Sequence, residues 1–399
     1  MTDSGLRMVF SAGMVFSIIL PAPAAGPPRC IEPRASTGSS SAVVVEDVPL
    51  VHTAQLRPRH AAATATGQLQ LVLRDLDGVL RSAGSSLNDV VKLNVFVRTP
   101  SVTAAVEQHL AELYPGPHGP AVSFVVADLP NSTDVPTDVA LDAVAVSSRS
   151  GLKEVERLPP REAGKCSPAA ILPAGPRVYI SGQAEQGDGT LADATRRTME
   201  SLFATLEWLE LSPADVVEIK TFLQPMEQES VAVAEIVRAF GDQTTPPISV
   251  VGWVSSLPIE IELVAAARPR DDLPPVAFLT PPGMTASPVF ARVVRVSAPG
   301  TIYFSGLYGS TDEPNGEAEV QELFSATKRI ASASGTDLHH LVKATYYVSN
   351  DDVSRWHNQL RPQYYDPQRP PAASKAMVSG TGRERRTITW DMIAVPKPQ

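Results

Sequence analysis

One phrase is spelled three times along this chain, and no other feature restricts the fold as much. Asp89-Val90-Val91-Lys92-Leu93-Asn94-Val95-Phe96-Val97 returns as Asp215-Val216-Val217-Glu218-Ile219-Lys220-Thr221-Phe222-Leu223 and again as His340-Leu341-Val342-Lys343-Ala344-Thr345-Tyr346-Tyr347-Val348. The second copy starts 126 residues after the first, and the third 125 after the second. A further echo keeps both offsets: Pro120-Ala121-Val122-Ser123, Pro246-Pro247-Ile248-Ser249 and Pro371-Ala372-Ala373-Ser374. Solenoid repeats are far shorter, so each copy here should own a core. Split three ways, 399 residues leave each copy about the modal size of an independent domain.

Composition narrows the partners. With 43% hydrophobic residues and a formal charge of −9, the chain would repel a polyanion such as nucleic acid. The one basic cluster, Arg383-Glu384-Arg385-Arg386, reads as a solvated turn between strands. Cys30 and Cys166 precede the first two copies with no CxxC and no zinc-ligand spacing, and a disulfide between them stays open. The histidines (His52, His60, His109, His118, His339, His340, His357) show no HExxH pattern and read as surface or core residues. No GxSxG, Walker A loop or dinucleotide fingerprint occurs, so no cofactor and no metal is expected.

The apolar run over residues 8–20 has Arg7 before it and Ala22-Pro23-Ala24 behind it. That is the order of a secretory leader, too short to span a membrane, and it would occupy residues 1–28. Asp3 and the single basic side chain fit a misassigned start equally well, so cytoplasmic and exported locations both stay open.

Copy two is the clearest to read. Residues 177–183 are β-branched and aromatic and run into Gly182, which predicts a strand. Over 191–209, Met199, Leu202, Phe203, Leu206 and Leu209 recur at three- and four-residue steps, one face of a helix. A strand follows over 216–223, a helix over 229–240, and strands over 248–254 and 259–266, parted by Pro258. Copy one repeats the order at 50–56, 68–83, 90–97, 102–114, 121–127 and 139–146, and copy three at 302–306, 317–333, 342–348, 353–365, 372–378 and 387–395. Each unit is then an α+β sandwich, a mixed sheet with two helices on one face. The stretches 147–164 and 268–287, charged or rich in proline, read as linkers.

These residues carry a resemblance to the RidA family, also called YjgF/YER057c/UK114. The signs are Ser181-Gly182-Gln183, with Ser305-Gly306-Leu307 and Thr53-Ala54-Gln55 as variants, the phrase Ala83 to Lys92, the strand after Pro120, Leu129-Pro130 and Leu257-Pro258, and the closing strand Ile259-Glu260-Ile261-Glu262-Leu263-Val264-Ala265. The resemblance implies a chorismate-mutase-like α+β fold that elsewhere forms homotrimers, sheets inward and helices outward. Three tandem copies, at 35–147, 166–267 and 284–396, would build an intrachain pseudo-trimer and leave the chain monomeric.

Active members of that family hydrolyse enamine and imine intermediates, and an arginine in a Pro-Ala-Arg phrase grips the substrate carboxylate with its planar fork. The matching positions here are Val122, Ile248 and Ala373, none able to carry charge. An apolar side chain there cannot offset the desolvation of a carboxylate, which predicts packed clefts in copies one and two. In copy three, Lys375 stands two residues beyond Ala373 on the same strand face, where an ammonium could serve as a point charge, or snorkel into water. Ser374 should face the other way. Asn358 falls where the family has a cleft asparagine, Ser305 and Gly306 match its strand end, and Glu260 matches its water-placing glutamate, with Ala140 and Thr389 in the other copies. The catalytic candidates are therefore Lys375 and Glu260, and the substrate-binding ones Asn358, Lys375, Ser305 and Gly306. The expected partner is a small carboxylated imine or enamine. The alternatives are a metabolite-binding scaffold without catalysis and, disfavoured by charge, an endoribonuclease.

Overall fold

The structure is a computed structural model that describes residues 26–132, 134–161, 166–309 and 315–398; the apolar run over residues 8–20 lies outside the described residues. The first repeat holds β1 (Arg29–Arg34), β2 (Ser39–Val45), β3 (Leu50–Thr53), α1 (Ala65–Ser82), β4 (Val90–Val97), α2 (Pro100–Leu113), β5 (Ala121–Val126) and β6 (Val139–Val146). The second holds β7 (Glu156–Arg157), β8 (Ala169–Leu172), β9 (Arg177–Gln183), α3 (Leu191–Trp208), β10 (Val216–Leu223), α4 (Glu229–Phe240), β11 (Ile248–Gly252) and β12 (Ile259–Ala266). The third holds β13 (Val276–Leu279), β14 (Val293–Val296), β15 (Thr301–Phe304), α5 (Gly316–Ser334), β16 (Leu341–Val348), α6 (Asp351–Leu360), β17 (Ala372–Met377) and β18 (Ile388–Ala394).

The helices begin where a side chain can satisfy the first free N–H groups. Thr64, Thr190, Asn315 and Asn350 each accept from a backbone N–H of the first turn of α1, α3, α5 and α6. Spacing alone carries α6 to residue 365. The helix stops at Leu360 because Pro362 has no N–H to continue the ladder, and the chain tightens into a 3-10 turn over Arg361–Gln363. That early stop sets Arg361 at the helix end.

The repeated phrase forms the middle strand of each unit. β4, β10 and β16 each pair in parallel with the following strand (β5, β11, β17) and antiparallel with the closing one (β6, β12, β18). Each antiparallel ladder slips at its start, between Val90 and Lys92, Val216 and Glu218, and Leu341 and Lys343. A slip of this kind re-aims the next side chain. Lys92, Glu218 and Lys343 accordingly line one small buried cavity together with His52, Lys220 and Asp391.

Two expectations from the sequence need correction. The second strand of each repeat (β2, β8, β14) is additional to the expected order, and it pairs with a strand of another repeat: β8 with β3, β14 with β9, and β2 with β15, all antiparallel. Four-residue, Ala-rich β8 and the Ser-rich first half of β2 have little strand propensity of their own; pairing with the neighbouring repeat's edge orders them. The two linkers are also more than spacers, since they contribute β7 and β13, which pair with β8 and β14. The second strand of each repeat thus crosses into another repeat, and each crossing makes a seam. The strands join as two sheets, β17-β16-β18-β15-β2-β5-β4-β6-β3-β8-β7 with β1 on β2, and β11-β10-β12-β9-β14-β13.

Each repeat packs its helices on one face of its sheet. Leu76, Val95 and Leu141 meet in the first, Leu202, Ile219 and Ile261 in the second, and Phe324, Tyr346 and Trp390 in the third. The opposite sheet faces share one apolar cluster with members from all three, among them Val43, Val91, Val217, Val294, Tyr303 and Val342. Burial on both faces explains why the repeated phrase is nearly continuous in apolar residues.

Candidate functional site

The seam between the second and third repeats holds a cavity of about 570 Å³. β17 is the terminal strand of its sheet, so both of its faces reach this space. Alternation along the strand holds: Lys375 turns toward α6, and its Nζ donates to Ser354 Oγ (2.9 Å) and Asn358 Oδ1 (3.0 Å). Ser374 turns the other way, toward the second repeat. Its Oγ accepts from Gly182 N at 3.2 Å and bonds the Glu260 carboxylate. At a buried strand edge both orientations can serve one cavity, and Lys375, Ser374 and Glu260 all line it.

Glu260 is pressed onto the backbone of β9. A Cβ on Gly182 would stand 2.0 Å from Glu260 Oε1, so only glycine fits beneath the carboxylate. Burial pushes the Glu260 carboxyl up to about 7, despite the bond from Ser374 and the positive charge of Lys343; the negative charge of Glu262 adds to the rise. Lys375 moves the opposite way, lowered by burial and then by the nearby Arg361 guanidinium. This seam therefore brings together Lys375, Glu260 and Asn358, three of the five candidates.

The other two lie elsewhere. Ser305 Oγ donates to Ser40 O (2.5 Å) and accepts from Val122 N (2.8 Å), and Gly306 N donates to Val122 O (2.9 Å), at the seam of the first and third repeats. Here the chain closes on itself. Arg383 forms a two-pronged pair with Glu107, one contact at 3.1 Å, and the Tyr308 hydroxyl donates to Thr381 O at 2.7 Å. The basic cluster is thus not simply solvated, since Arg383 ties the third repeat to the first. In the remaining seam, Gln55 N donates to Ile248 O (3.1 Å), Gln55 Nε2 to Val250 O (2.9 Å), and Arg57 pairs with Glu229 (2.5 and 2.8 Å). Ser305 and Gly306 therefore do not join Lys375; they help to fill a different seam.

Two cations of the cavity went unread in the sequence. Arg361 lines it from the turn after α6, and Arg292 from the residue before β14, its guanidinium lying 4.8 Å from the Phe290 ring and its Nε donating to Thr285 O (3.1 Å). Arg361 had a signal: Ser354, Asn358 and Arg361 stand at i, i+4 and i+7, one helical stripe. Arg292 has only an indirect one, the Val-rich run over residues 293–296 that follows it. His357 is a core residue. It is wholly buried against Tyr346, with ring centroids 4.3 Å apart, and burial pushes its basicity well down. Cys30 and Cys166 are both free thiols. Among the described residues no three His, Cys, Asp or Glu side chains gather as a metal group, and no helix is long and apolar enough to cross a membrane.

The family model described as Endoribonuclease L-PSP matches residues 40–145 and 159–267, the first two repeats. Among solved structures, the chain is similar to a protein of unknown function of the Rid family, YyfB, from Yersinia pestis (26% identity, 30% of this chain and 99% of that one, TM-score 0.27). It is also similar to Rv2704 of the YjgF/YER057c/UK114 family from Mycobacterium tuberculosis (25%, 24% and 83%, TM-score 0.22). A third is TdcF with bound serine from E. coli (22%, 24% and 83%, TM-score 0.22). No curated protein matches the chain.

Proposed function

The chain belongs to the Endoribonuclease L-PSP family, the YjgF/YER057c/UK114 or RidA proteins, and from that premise we propose that it is a divergent member acting on a small carboxylated imine or enamine. The reaction sits at the seam of the second and third repeats. The observation that carries this reading is that Lys375 and Glu260, from different repeats, line one open cavity. The three repeats act together as an intrachain pseudo-trimer, in which the seam of the second and third repeats holds the chamber that carries the chemistry. Exchange of β2, β8 and β14 between repeats supports that reading.

The chemistry follows from the two side chains. Lys375, steered by Ser354 and Asn358, meets the substrate carboxylate in place of the family's arginine. Glu260, half protonated near pH 7, can hand a proton to the enamine carbon and then take one from the water that adds to the C=N carbon. The carbinolamine collapses to an oxo acid and ammonia, so every atom of the added water is retained. A polyanion suits this protein poorly, with its charge of −9 and with Arg383 engaged by Glu107.

The test is ammonia release from a freshly generated 2-iminobutanoate pool. Wild type is expected to exceed the spontaneous rate. Lys375→Met should raise KM about tenfold or more, the worth of a charge-assisted hydrogen bond, and Glu260→Gln should lower kcat by about 10²-fold. No acceleration by wild type would leave a binding protein without catalysis.

A further inference from the structure

The charges of the same cavity say more about its ligand. Three cations line it, Arg292, Arg361 and Lys375, and no carboxylate of the described residues forms an ion pair with any of them. Two are close enough to repel: Lys375 is depressed by Arg361. Arg361 borders the Tyr346 ring at 5.4 Å, and its Nε is buried without a partner. Like charges left together in a partly desolvated space oppose folding unless an anion joins them. Arg292 enters the cavity from a different element, the segment before β14, where the Phe290 ring and Thr285 O hold its guanidinium. Against these three stand Glu185 at the exposed rim and Glu260, the two acids of the lining. A ligand with one carboxylate could engage the Lys375–Arg361 pair and would leave Arg292 unmatched.

We propose that this seam takes a dicarboxylate, a small imino or oxo acid whose first carboxylate lies between Lys375 and Arg361 and whose second is received by Arg292. The inference rests on the reading of this seam as an acid-binding site and adds the substrate class. It makes Arg292 the specificity-determining residue. Loss of a charged side chain at Ala373 is then not loss of the grip, since cations at other positions supply it for a larger acid.

The experiment is isothermal titration of the full chain at pH 7.5 with 2-oxoglutarate and with 2-oxopentanoate, which share a five-carbon chain and differ in the second acid group. The dicarboxylate is expected to bind at least about tenfold tighter, the worth of one charge-assisted pair. In Arg292→Gln that ratio should fall to about one, with 2-oxopentanoate affinity held within about twofold. Arg361→Gln should weaken both acids. A wild-type ratio near one overturns the dicarboxylate assignment while leaving the seam an acid site, and so does a tenfold ratio that survives Arg292→Gln. Binding of neither acid overturns the assignment and the seam reading together. Should Arg292→Gln fail to fold, the wild-type ratio and Arg292→Lys, expected to retain most of the preference, still decide.

Discussion

Gly182 and Glu260 are coupled through space, since the carboxylate occupies the volume a Cβ on Gly182 would need. Gly182→Ala is therefore expected to displace Glu260 and to lower turnover about as far as Glu260→Gln does; steady-state kinetics beside a thermal melt would check it. The proton on Glu260 also bears on stability. Its carboxyl titrates near 4.5 when unfolded and near 7 when folded, so between those values the native state holds a proton that the unfolded chain has released. Stability from this group is highest at low pH, falls as pH climbs through that window, and levels above it. The gap between wild type and Glu260→Gln should grow in favour of the variant by up to about 3 kcal/mol from pH 4.5 to pH 8, read by urea unfolding at both ends. At this scale Lys375, Asn358 and Glu260 are expectations that rest on the resemblance to the RidA family, whose matching strand and helix positions they occupy or neighbour. Arg292 matches no family position, and the Val-rich β14 beside it marks a strand but says nothing of which cavity the strand borders.

Among the elements, the short β7 shows most clearly what a linker can hide. Arg157 projects from it to donate to Thr244 O (2.7 Å) and Val216 O (2.9 Å) and also to Pro213 O, strapping the start of β10 and the 3-10 turn before it to the loop before β11. Burial lowers its guanidinium to about 10, yet the carbonyl oxygens hold it there. Arg157→Ala should cost about 2–3 kcal/mol, for it strands several buried acceptors, and Arg157→Lys should recover only part; chemical denaturation measures both. Periodicity placed β4, β6, β9, β10, β12 and α4 within their observed bounds, because each writes its burial into its own residues. It did not reach β2, β8 and β14, each of which shares part of its ladder with a strand of another repeat.

Across the whole molecule, the seams are joined by buried polar pairs as well as by strands. Lys343 of the third repeat meets Glu262 of the second at 2.5 Å, Lys92 of the first meets Asp391 of the third at 2.8 Å, and His52 of the first meets Glu218 of the second at 2.7 Å. Each link joins a different pair of repeats. Lys343→Met leaves Glu262 buried and unpaired and should cost about 3–5 kcal/mol, whereas Lys343→Met with Glu262→Leu should recover most of that loss; a double-mutant cycle by denaturation decides. A double variant as unstable as the single one would mean that the pair is not what Glu262 depends on.

What the sequence determined unaided is the threefold recurrence of one phrase, read by direct comparison, and the α+β order of each copy with the apolar faces that bury its helices, which are local patterns of period two or 3.6. Tertiary structure alone decided which strands cross between repeats and that Arg292 and Arg361 converge on the chamber beside Lys375. Those outcomes depend on contacts between residues far apart in the chain, and a charge carries no mark in the sequence of the partner that will be missing beside it.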